Sequence, residues 1–260
     1  MGKGKAALFV IKVLAAVAAG VLTLITAMTT AKVWKFSEET VLATALVAAA
    51  LAFCSATSSA WTDYRGRRRR ALDEHVATHV RTCFWSIYDI TQKKINPKDL
   101  GIAAYVVGLD RPRMRAWYAP YWRLKRLRRL HRERPRHYNE TTGLIWRPGK
   151  GIIGTCVERE GDAYADVAAD WEPYLKASKE EWDALDKQIT QGLSHGEFRS
   201  LVDSGKRLGV IVASPIFKNG KAVGCVAVDG PPGTIAYNLL TSQAVKDQLG
   251  NAASGIAMLV

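Results

Sequence analysis

Cysteine is scarce in this sequence, with four residues in 260, and its placement does not indicate a metal site. His75, His79 and Cys83 fall four residues apart on one helical face, a spacing that can bind a metal ion. No fourth ligand is evident, however, and Cys83 also belongs to an apolar stripe. Cys156 and Cys225 resemble small apolar core residues. We therefore expect no metal, and we expect a cytoplasmic domain to keep these thiols reduced.

Acidic residues are also few. The chain has 24 aspartates and glutamates against 37 lysines and arginines, which gives a net charge of +13. Much of the positive charge lies in two blocks, the arginine cluster Arg65 to Arg70 and residues 111–137, which hold eleven basic residues and one glutamate. A diffuse nucleic-acid binder would spread its positive charge over the folded surface. The blocks favour a membrane surface as partner over nucleic acid.

Charged residues are almost absent from two apolar runs near the N-terminus. Residues 6–31 contain Lys12 as their only charge, and residues 41–61 contain none. A helix of about 20 residues crosses a hydrocarbon core of about 30 Å, so both runs are long enough. The sequence predicts a transmembrane hairpin in a multi-pass protein of the cell membrane, with the lipid bilayer as partner. A cleaved signal peptide at 1–31 is the alternative, but its apolar region is long for that role.

The basic residues around the two runs predict the orientation of the hairpin. Lys3 and Lys5 precede the first run and the arginine cluster follows the second, so the positive-inside bias places both termini in the cytoplasm. Basic side chains beside a membrane exit are attracted to anionic headgroups. The predicted membrane-surface residues are Arg65, Arg67, Arg68, Arg69, Arg70, Arg126 and Arg129.

A helix is predicted over residues 71–91, continuous with the second apolar run, because apolar residues recur there at spacings of three and four. Asn96 and Pro97 are expected to stop the chain from continuing as a helix. Residues 100–109 and 114–122 are strand candidates, since both are rich in aromatic or β-branched residues.

The spacing of the apolar residues changes again in the second basic block, residues 111–137. Tyr121, Leu124, Leu127 and Leu130 fall three residues apart, which predicts a short, very basic helix. Three interpretations are open: a surface helix with solvated charges, a helix on anionic headgroups, or a lid over an anionic ligand. Trp117 lies among arginines just before it and could stack on a base.

Two later stretches resemble the GAF domain family. Residues 143–167 are GLIWRPGKGIIGTCVEREGDAYADV, and residues 208–233 are LGVIVASPIFKNGKAVGCVAVDGPPG. In that family a glycine-bearing turn starts a short helix, here 152–160, and a strand with an aspartate follows, here 163–166. Two further strands, at 210–217 and 222–228, flank an Asn-Gly pair, which is a strong hairpin signal in itself. A last helix is predicted at 235–259.

The resemblance covers residues 71–258 and implies an antiparallel sheet between helices, with a ligand pocket on one face. The predicted fold class is therefore α+β, with two N-terminal transmembrane helices followed by a GAF-like domain. We divide the chain into a hairpin (1–64), a basic juxtamembrane segment with a connecting helix (65–98) and the GAF-like domain (99–260). Family members often form dimers through their first and last helices, so a homo-oligomer through 71–91 and 235–259 is expected.

The resemblance also suggests where a ligand would bind. It places residues 170–196 beside the pocket as a candidate lid, with an ordinary helix at 179–189 on the sheet edge as the alternative. Aromatic side chains there fit a planar ligand or a plain apolar contact equally well. The candidate ligand-binding residues are Trp117, Cys156, Asp166, Trp171 and Tyr174. The cofactor, if any, is unknown.

Catalysis is not expected. The signatures of the cyclic-nucleotide-binding and bilin-binding branches are missing. The enzymatic branch, the free methionine sulfoxide reductases, resembles residues 214–231, but it carries a cysteine inside the glycine-rich turn, where Ile152 and Ile153 stand here. Its second cysteine is expected where Trp171, Glu172 and Tyr174 stand.

The predicted function is that of a membrane-anchored cytoplasmic sensor. Its GAF-like domain would bind a small molecule, such as a nucleotide, or a partner, and would signal through the transmembrane helices, since no output module follows the last predicted helix. One alternative is a membrane-disrupting effector of a nucleotide-signalled defence system. The other is a structural adaptor that binds no ligand.

Overall fold

The computed structural model describes residues 38–109, 125–134, 144–203 and 209–260, together with scattered positions between 17 and 28. The chain divides into two compact units, Met1–Ala71 and Leu72–Val260. The predicted strand at 114–122 and the candidate residue Trp117 lie outside the described residues.

The helices vary widely in length. They are α1 (Glu38–Ile90), α2 (Gly151–Arg159), α3 (Val167–Trp171), α4 (Lys179–Asp183), α5 (Lys187–Thr190), α6 (His195–Asp203), α7 (Tyr237–Leu240) and α8 (Gln243–Ala257), with a 3-10 turn at Glu172–Tyr174. The 53 residues of α1 include the second apolar run, the arginine cluster and residues 71–90. The predicted continuity of these three segments is therefore confirmed.

The predicted transmembrane hairpin is not supported. In the part of the chain that the structure describes, no helix combines the length and the apolar character that crossing a bilayer requires. The second run of the hairpin lies within α1, and most of the first run lies outside the described residues.

A five-stranded antiparallel sheet forms the centre of the second unit. Its strands are β1 (Gly101–Leu109), β2 (Lys125–Glu133), β3 (Ala163–Asp166), β4 (Val210–Lys218) and β5 (Lys221–Asp229). They lie in the order β2-β1-β5-β4-β3, and every neighbouring pair is antiparallel. This sheet with helices on both faces is the α+β architecture that the GAF resemblance implies.

The prediction of a short basic helix around Leu127 is wrong, because this segment is strand β2. Leu127 and Leu130 lie on opposite faces of the sheet, one in each of the two hydrophobic clusters. Residues three apart point to opposite sides of a strand, and here both sides are covered. Apolar residues three apart were therefore compatible with a strand that places one leucine in each cluster.

The hairpin between β4 and β5 forms as predicted. Asn219 and Gly220 have φ values of 52° and 75°, the left-handed conformation that a two-residue turn of this kind needs at both central positions. Asparagine and glycine are the residues that adopt it at least cost.

One face of the sheet is covered by the C-terminal part of α1 and by α8. Val76, Val80 and Ile87 of α1 pack in one cluster with Leu249 and Ile256 of α8. The stripes on which the predicted homo-oligomer depended are thus buried within one chain. A homo-oligomer through residues 71–91 and 235–259 stays a prediction, and it would need the outer surfaces of these helices.

The predicted helix at 235–259 is instead two helices, α7 and α8. The break falls at Thr241, whose hydroxyl donates to the carbonyl of Tyr237 (2.9 Å). A threonine that bonds back to the preceding turn competes with the helical backbone at that point.

Candidate ligand-binding site

The second face of the sheet is covered by residues 144–203 and carries the aromatic residues and most of the candidate ligand residues. Helix α2 starts at the glycine-bearing turn, close to the predicted 152–160. Gly149 and Gly151 have φ values of 78° and 64°, and the N–H of Gly151 donates to the carbonyl of Gln191 (2.7 Å). A Cβ atom on Gly151 would lie 2.6 Å from Cζ3 of Trp146. Glycine at this position therefore lets the Trp146 ring pack against the start of α2.

Three aromatic rings form the centre of this layer. The rings of Trp182 and Phe198 are stacked with their centroids 3.8 Å apart, and Trp171 meets Phe198 edge-on at 5.3 Å. The indole N–H of Trp171 donates to the carbonyl of Ile189 (2.8 Å), and that of Trp182 donates to Leu193 (3.0 Å). Both indole donors are thus used by the backbone of the candidate lid, which makes this cluster part of the core.

Replacing Trp182 with phenylalanine is expected to lower the free energy of unfolding by about 2 kcal/mol, since it leaves the carbonyl of Leu193 without its donor and removes buried ring volume. The control is Trp85→Phe, because Trp85 is half exposed and should change stability by less than about 0.5 kcal/mol. Urea unfolding of both variants measures the difference. Equal losses would show that the Trp182 ring is not a core element.

The other candidate residues are spread over this face. Asp166 caps α3 by accepting from the N–H of Ala169 (3.1 Å). Tyr174 is half-buried and packs against the aromatic cluster. Cys156 is fully buried in the same layer. The ligand-binding roles predicted for these residues and for Trp171 stay predictions. Their polar groups do not converge on one position in the structure.

The membrane-surface candidates lie on two elements. Arg67 and Arg70 are exposed on α1, and Arg126 and Arg129 are exposed on β2. Because β2 pairs Val106 with Arg128 and Val107 with Leu127, Arg126 lies on the α1 face of the sheet and Arg129 on the aromatic face. The role of these residues at a membrane surface stays a prediction.

A charged cluster lies at the end of strands β1, β2 and β5, on the aromatic face. Asp229 is 8% exposed, and its Oδ2 accepts from Arg132 (3.4 Å) and from Arg134. Gly101 stands opposite Asp229 in the register, and a Cβ there would lie 2.6 Å from Oδ1 of Asp229. The absence of a side chain at Gly101 gives the two guanidinium groups access to this carboxylate.

Tyr105 belongs to the same cluster. It lies opposite Cys225 on β5 and Arg129 on β2, so its ring is on the aromatic face. Burial, reinforced by the negative charge of Asp229, raises the pKa of Tyr105 to about 12. Its hydroxyl is therefore protonated at neutral pH and can donate a hydrogen bond.

The cluster contains a buried donor without an acceptor. The Nε of Arg132 is buried and has no hydrogen-bond partner within the described part of the chain. A buried donor left without an acceptor costs free energy, and natural structures supply one from protein, water or ligand. Arg132, Asp229 and Tyr105 are thus the functional candidates that sequence reasoning missed, since a segment interpreted as a helix gave no sign of which arginines share a sheet face.

A second ion pair holds α2 against α6. Lys150 bonds to Glu197, and Glu197 also accepts from the N–H and the hydroxyl of Ser194, both at 3.1 Å. Partial burial of Glu197 raises its pKa, but the hydrogen bonds from Lys150 and Ser194 have the larger effect. Together they lower the pKa of Glu197 below its ordinary 4.5. Folding therefore favours the ionised carboxylate.

The variant Glu197→Gln is expected to be less stable than the natural chain at pH 7, with a difference that shrinks as the pH falls. A carboxyl whose pKa is lowered by folding stabilises the native state above its unfolded pKa and loses this effect as it is protonated. Melting temperatures between pH 7 and pH 3 check this, with Glu180→Gln, an exposed change on α4, as control. A constant difference across this range would contradict the role of the carboxylate charge.

No metal site is evident in the described ranges, where no group of three or more His, Cys, Asp or Glu side chains could hold an ion. Of the residues that share the metal-like spacing, His75 is exposed, whereas His79 and Cys83 are used in packing. Cys83 is buried against α8, with Sγ 3.6 Å from the carbonyl of Gln248, and His79 packs against Gly255.

Comparison with known proteins gives only distant similarity. No family model matches the chain, and no curated protein matches it. Among solved structures, a type II free methionine-R-sulfoxide reductase from Thermoplasma acidophilum is 12% identical, with a TM-score of 0.37, over 72% of this chain and 94% of that one. A nitrate-site mutant of NreA from Staphylococcus aureus is 14% identical, with a TM-score of 0.31, over 59% and 86%. The C-terminal domain of the E. coli regulator KdgR is 14% identical, with a TM-score of 0.28, over 70% and 97%. Similarities at this level carry no information about function.

Proposed function

We propose that the unit Leu72–Val260 is a GAF-like sensor domain that binds a small molecule on the aromatic face of its sheet. The observation that carries this proposal is the cluster of Asp229, Arg132 and Tyr105, in which a buried guanidinium donor has no acceptor within the described residues. Buried polar groups in a plain core are matched with partners. A buried donor without a partner in a native structure needs an explanation, and a bound ligand that supplies the acceptor is the one that we propose.

The proposed role is binding without catalysis. Cys156 and Cys225 are both fully buried, and Cys225 also donates weakly to the carbonyl of Ile153 at 3.6 Å. A hydrogen bond with Cys156, together with burial, raises the pKa of Cys225 well above its ordinary value. Because the thiolate is the reactive form of cysteine, this pair is poorly suited to the chemistry of a sulfoxide reductase.

Thermal unfolding of the full-length protein in the presence of a metabolite panel tests the proposal. A ligand that binds only the native state stabilises it by RT ln(1 + [L]/Kd), so the melting temperature rises with the logarithm of the ligand concentration above the Kd. We expect at least one class among nucleotides, cyclic nucleotides, amino acids and organic acids to give an increase of this form, and Arg132→Gln to reduce it. No increase with any class would leave the adaptor interpretation as the better one.

The location at the cell membrane and the output through N-terminal helices are proposed from the sequence alone. Cys54 lies in the second apolar run and is an exposed thiol of α1, whereas Cys83, Cys156 and Cys225 are buried. If the run enters a bilayer, a membrane-impermeant maleimide should label Cys54 in membranes only after detergent is added. Equal labelling without detergent, or recovery of the protein in the soluble fraction, would contradict the membrane location.

A further inference from the structure

We infer that the ligand of this domain presents an oxyanion group, a carboxylate or a phosphate, to the guanidinium of Arg132 and the hydroxyl of Tyr105. This inference rests on the proposed function and specifies the chemistry of the same site. It concerns the end of the aromatic face that β1, β2 and β5 share, and the residues involved are distinct from the ligand candidates found by sequence reasoning.

The register of the sheet brings these donors to one face. Ala103 pairs with Arg132 on one side and with Ala227 on the other, and Tyr105 lies two residues further along β1. Alternate residues of a strand share a face, so Arg132 and Tyr105 are diagonal neighbours on this face, and both lie next to Ala103. Ala103 and its neighbour Ala227 have small side chains, so the face beside the two donors carries methyl groups.

The donors of Arg132 are not all matched by acceptors. Its guanidinium donates to Oδ2 of Asp229, while its Nε has no acceptor within the described ranges. The side chain of Arg132 is 16% exposed and that of Asp229 is 12% exposed, so the unmatched donor lies at a nearly buried position. Buried charge is stable when it is paired and hydrogen-bonded. An anion next to Nε would supply the missing acceptor.

The form of the donors selects an oxyanion over a neutral carbonyl. A guanidinium group offers parallel N–H donors in a plane, which match two oxygens of a carboxylate or phosphate. Tyr105 adds an O–H donor that stays protonated at neutral pH. A carboxylate or phosphate accepts from all of these at once, whereas a single carbonyl oxygen has two lone pairs.

Titration of the full-length protein with simple anions tests the inference. Sodium phosphate, nitrate and acetate are compared with sodium chloride at constant ionic strength, and the melting temperature is followed. We expect at least one oxyanion to raise the melting temperature at low concentration, with the logarithmic dependence of site binding, in contrast to the gradual stabilisation that excluded salts give at high concentration. Tyr105→Phe should weaken its apparent Kd at least about tenfold, the equivalent of one hydrogen bond to a charged group.

Two further variants separate binding from folding. Tyr164→Phe is the matched control, because Tyr164 is 47% exposed on β3 at the far edge of the same sheet, and it should leave the Kd unchanged. Asp229→Asn removes the competing negative charge, so it should tighten the binding of the anion even where it lowers stability. A role of Asp229 that is only structural would not produce this opposite effect.

The outcomes distinguish the two proposals. If no oxyanion raises the melting temperature beyond the gradual effect of sodium chloride, or if Tyr105→Phe and Tyr164→Phe bind it equally well, the inference is wrong. If the metabolite panel still yields a neutral ligand whose effect Arg132→Gln reduces, the proposed function holds without an oxyanion. If neither the panel nor the anions act, both fail.

Discussion

Gly224→Ala is expected to lower the free energy of unfolding by about 3 kcal/mol or more, because the added methyl group has no room. A Cβ at Gly224 would overlap the carbonyl oxygen of Tyr105 and would lie 3.0 Å from the Cα of Val106. Both are backbone atoms of the neighbouring strand β1, so no side-chain rotation can relieve the contact. Urea unfolding measures the loss.

Gly250→Ala is the matched control for this change. Gly250 lies within α8, and nothing stands within 4 Å of a Cβ placed there. Alanine in a helix interior is more stable than glycine by about 0.5–1 kcal/mol, so this variant should gain stability. If both variants changed stability by the same amount, the close approach of β1 and β5 at Gly224 would be incorrect.

Asp229→Ala is expected to cost about 3–5 kcal/mol, the range found when one partner of a buried ion pair is removed. The change takes away the carboxylate that Arg132 and Arg134 share and leaves positive charge in a nearly buried position. Millimolar phosphate should recover part of the loss, since it could occupy the place of the carboxylate. The midpoint of urea unfolding with and without phosphate measures both effects.

Asp203→Ala is the control for the loss of an ion pair. Asp203 accepts from Arg199 at 2.7 Å, but its side chain is 59% exposed. Exposed pairs four residues apart on a helix contribute about 0.3–0.5 kcal/mol, and phosphate should have no specific effect on this variant. A loss at Asp229 as small as the loss at Asp203 would show that the charged cluster is not a buried element.

The sequence predicted the elements whose signals are local. The strand with the aspartate, the β4–β5 hairpin, the helix of residues 71–90 and the start of α2 are all observed close to their predicted bounds. Each depends on neighbouring residues: an Asn-Gly pair, a glycine-bearing turn, or apolar residues at regular spacings. The ordinary helix that was the alternative to a lid, at 179–189, was only partly predictable, since Asp186 starts a new helix there by accepting from the N–H of Gln188 (2.6 Å).

The charged cluster could not be predicted, because it depends on pairing between distant strands. Arg132 meets Asp229 across 97 residues of sequence, and only the register of β2 against β1 places them on one face. A β-bulge between Ala104 and Tyr105 shifts that register, so a correct strand assignment without the bulge would have placed His131 instead of Arg132 opposite Ala103. Local patterns contain no information about such a shift.

The Nε–H signal of Arg132 in a 1H–15N spectrum tests the central claim most directly. Arg132→Lys assigns the signal by removing it, and the full-length protein is then titrated with whichever oxyanion or metabolite raises its melting temperature. We expect the Arg132 signal to shift saturably, with the same Kd as the thermal effect, because the ligand supplies the missing acceptor. A ligand that stabilises the protein and leaves this signal unmoved would contradict the site.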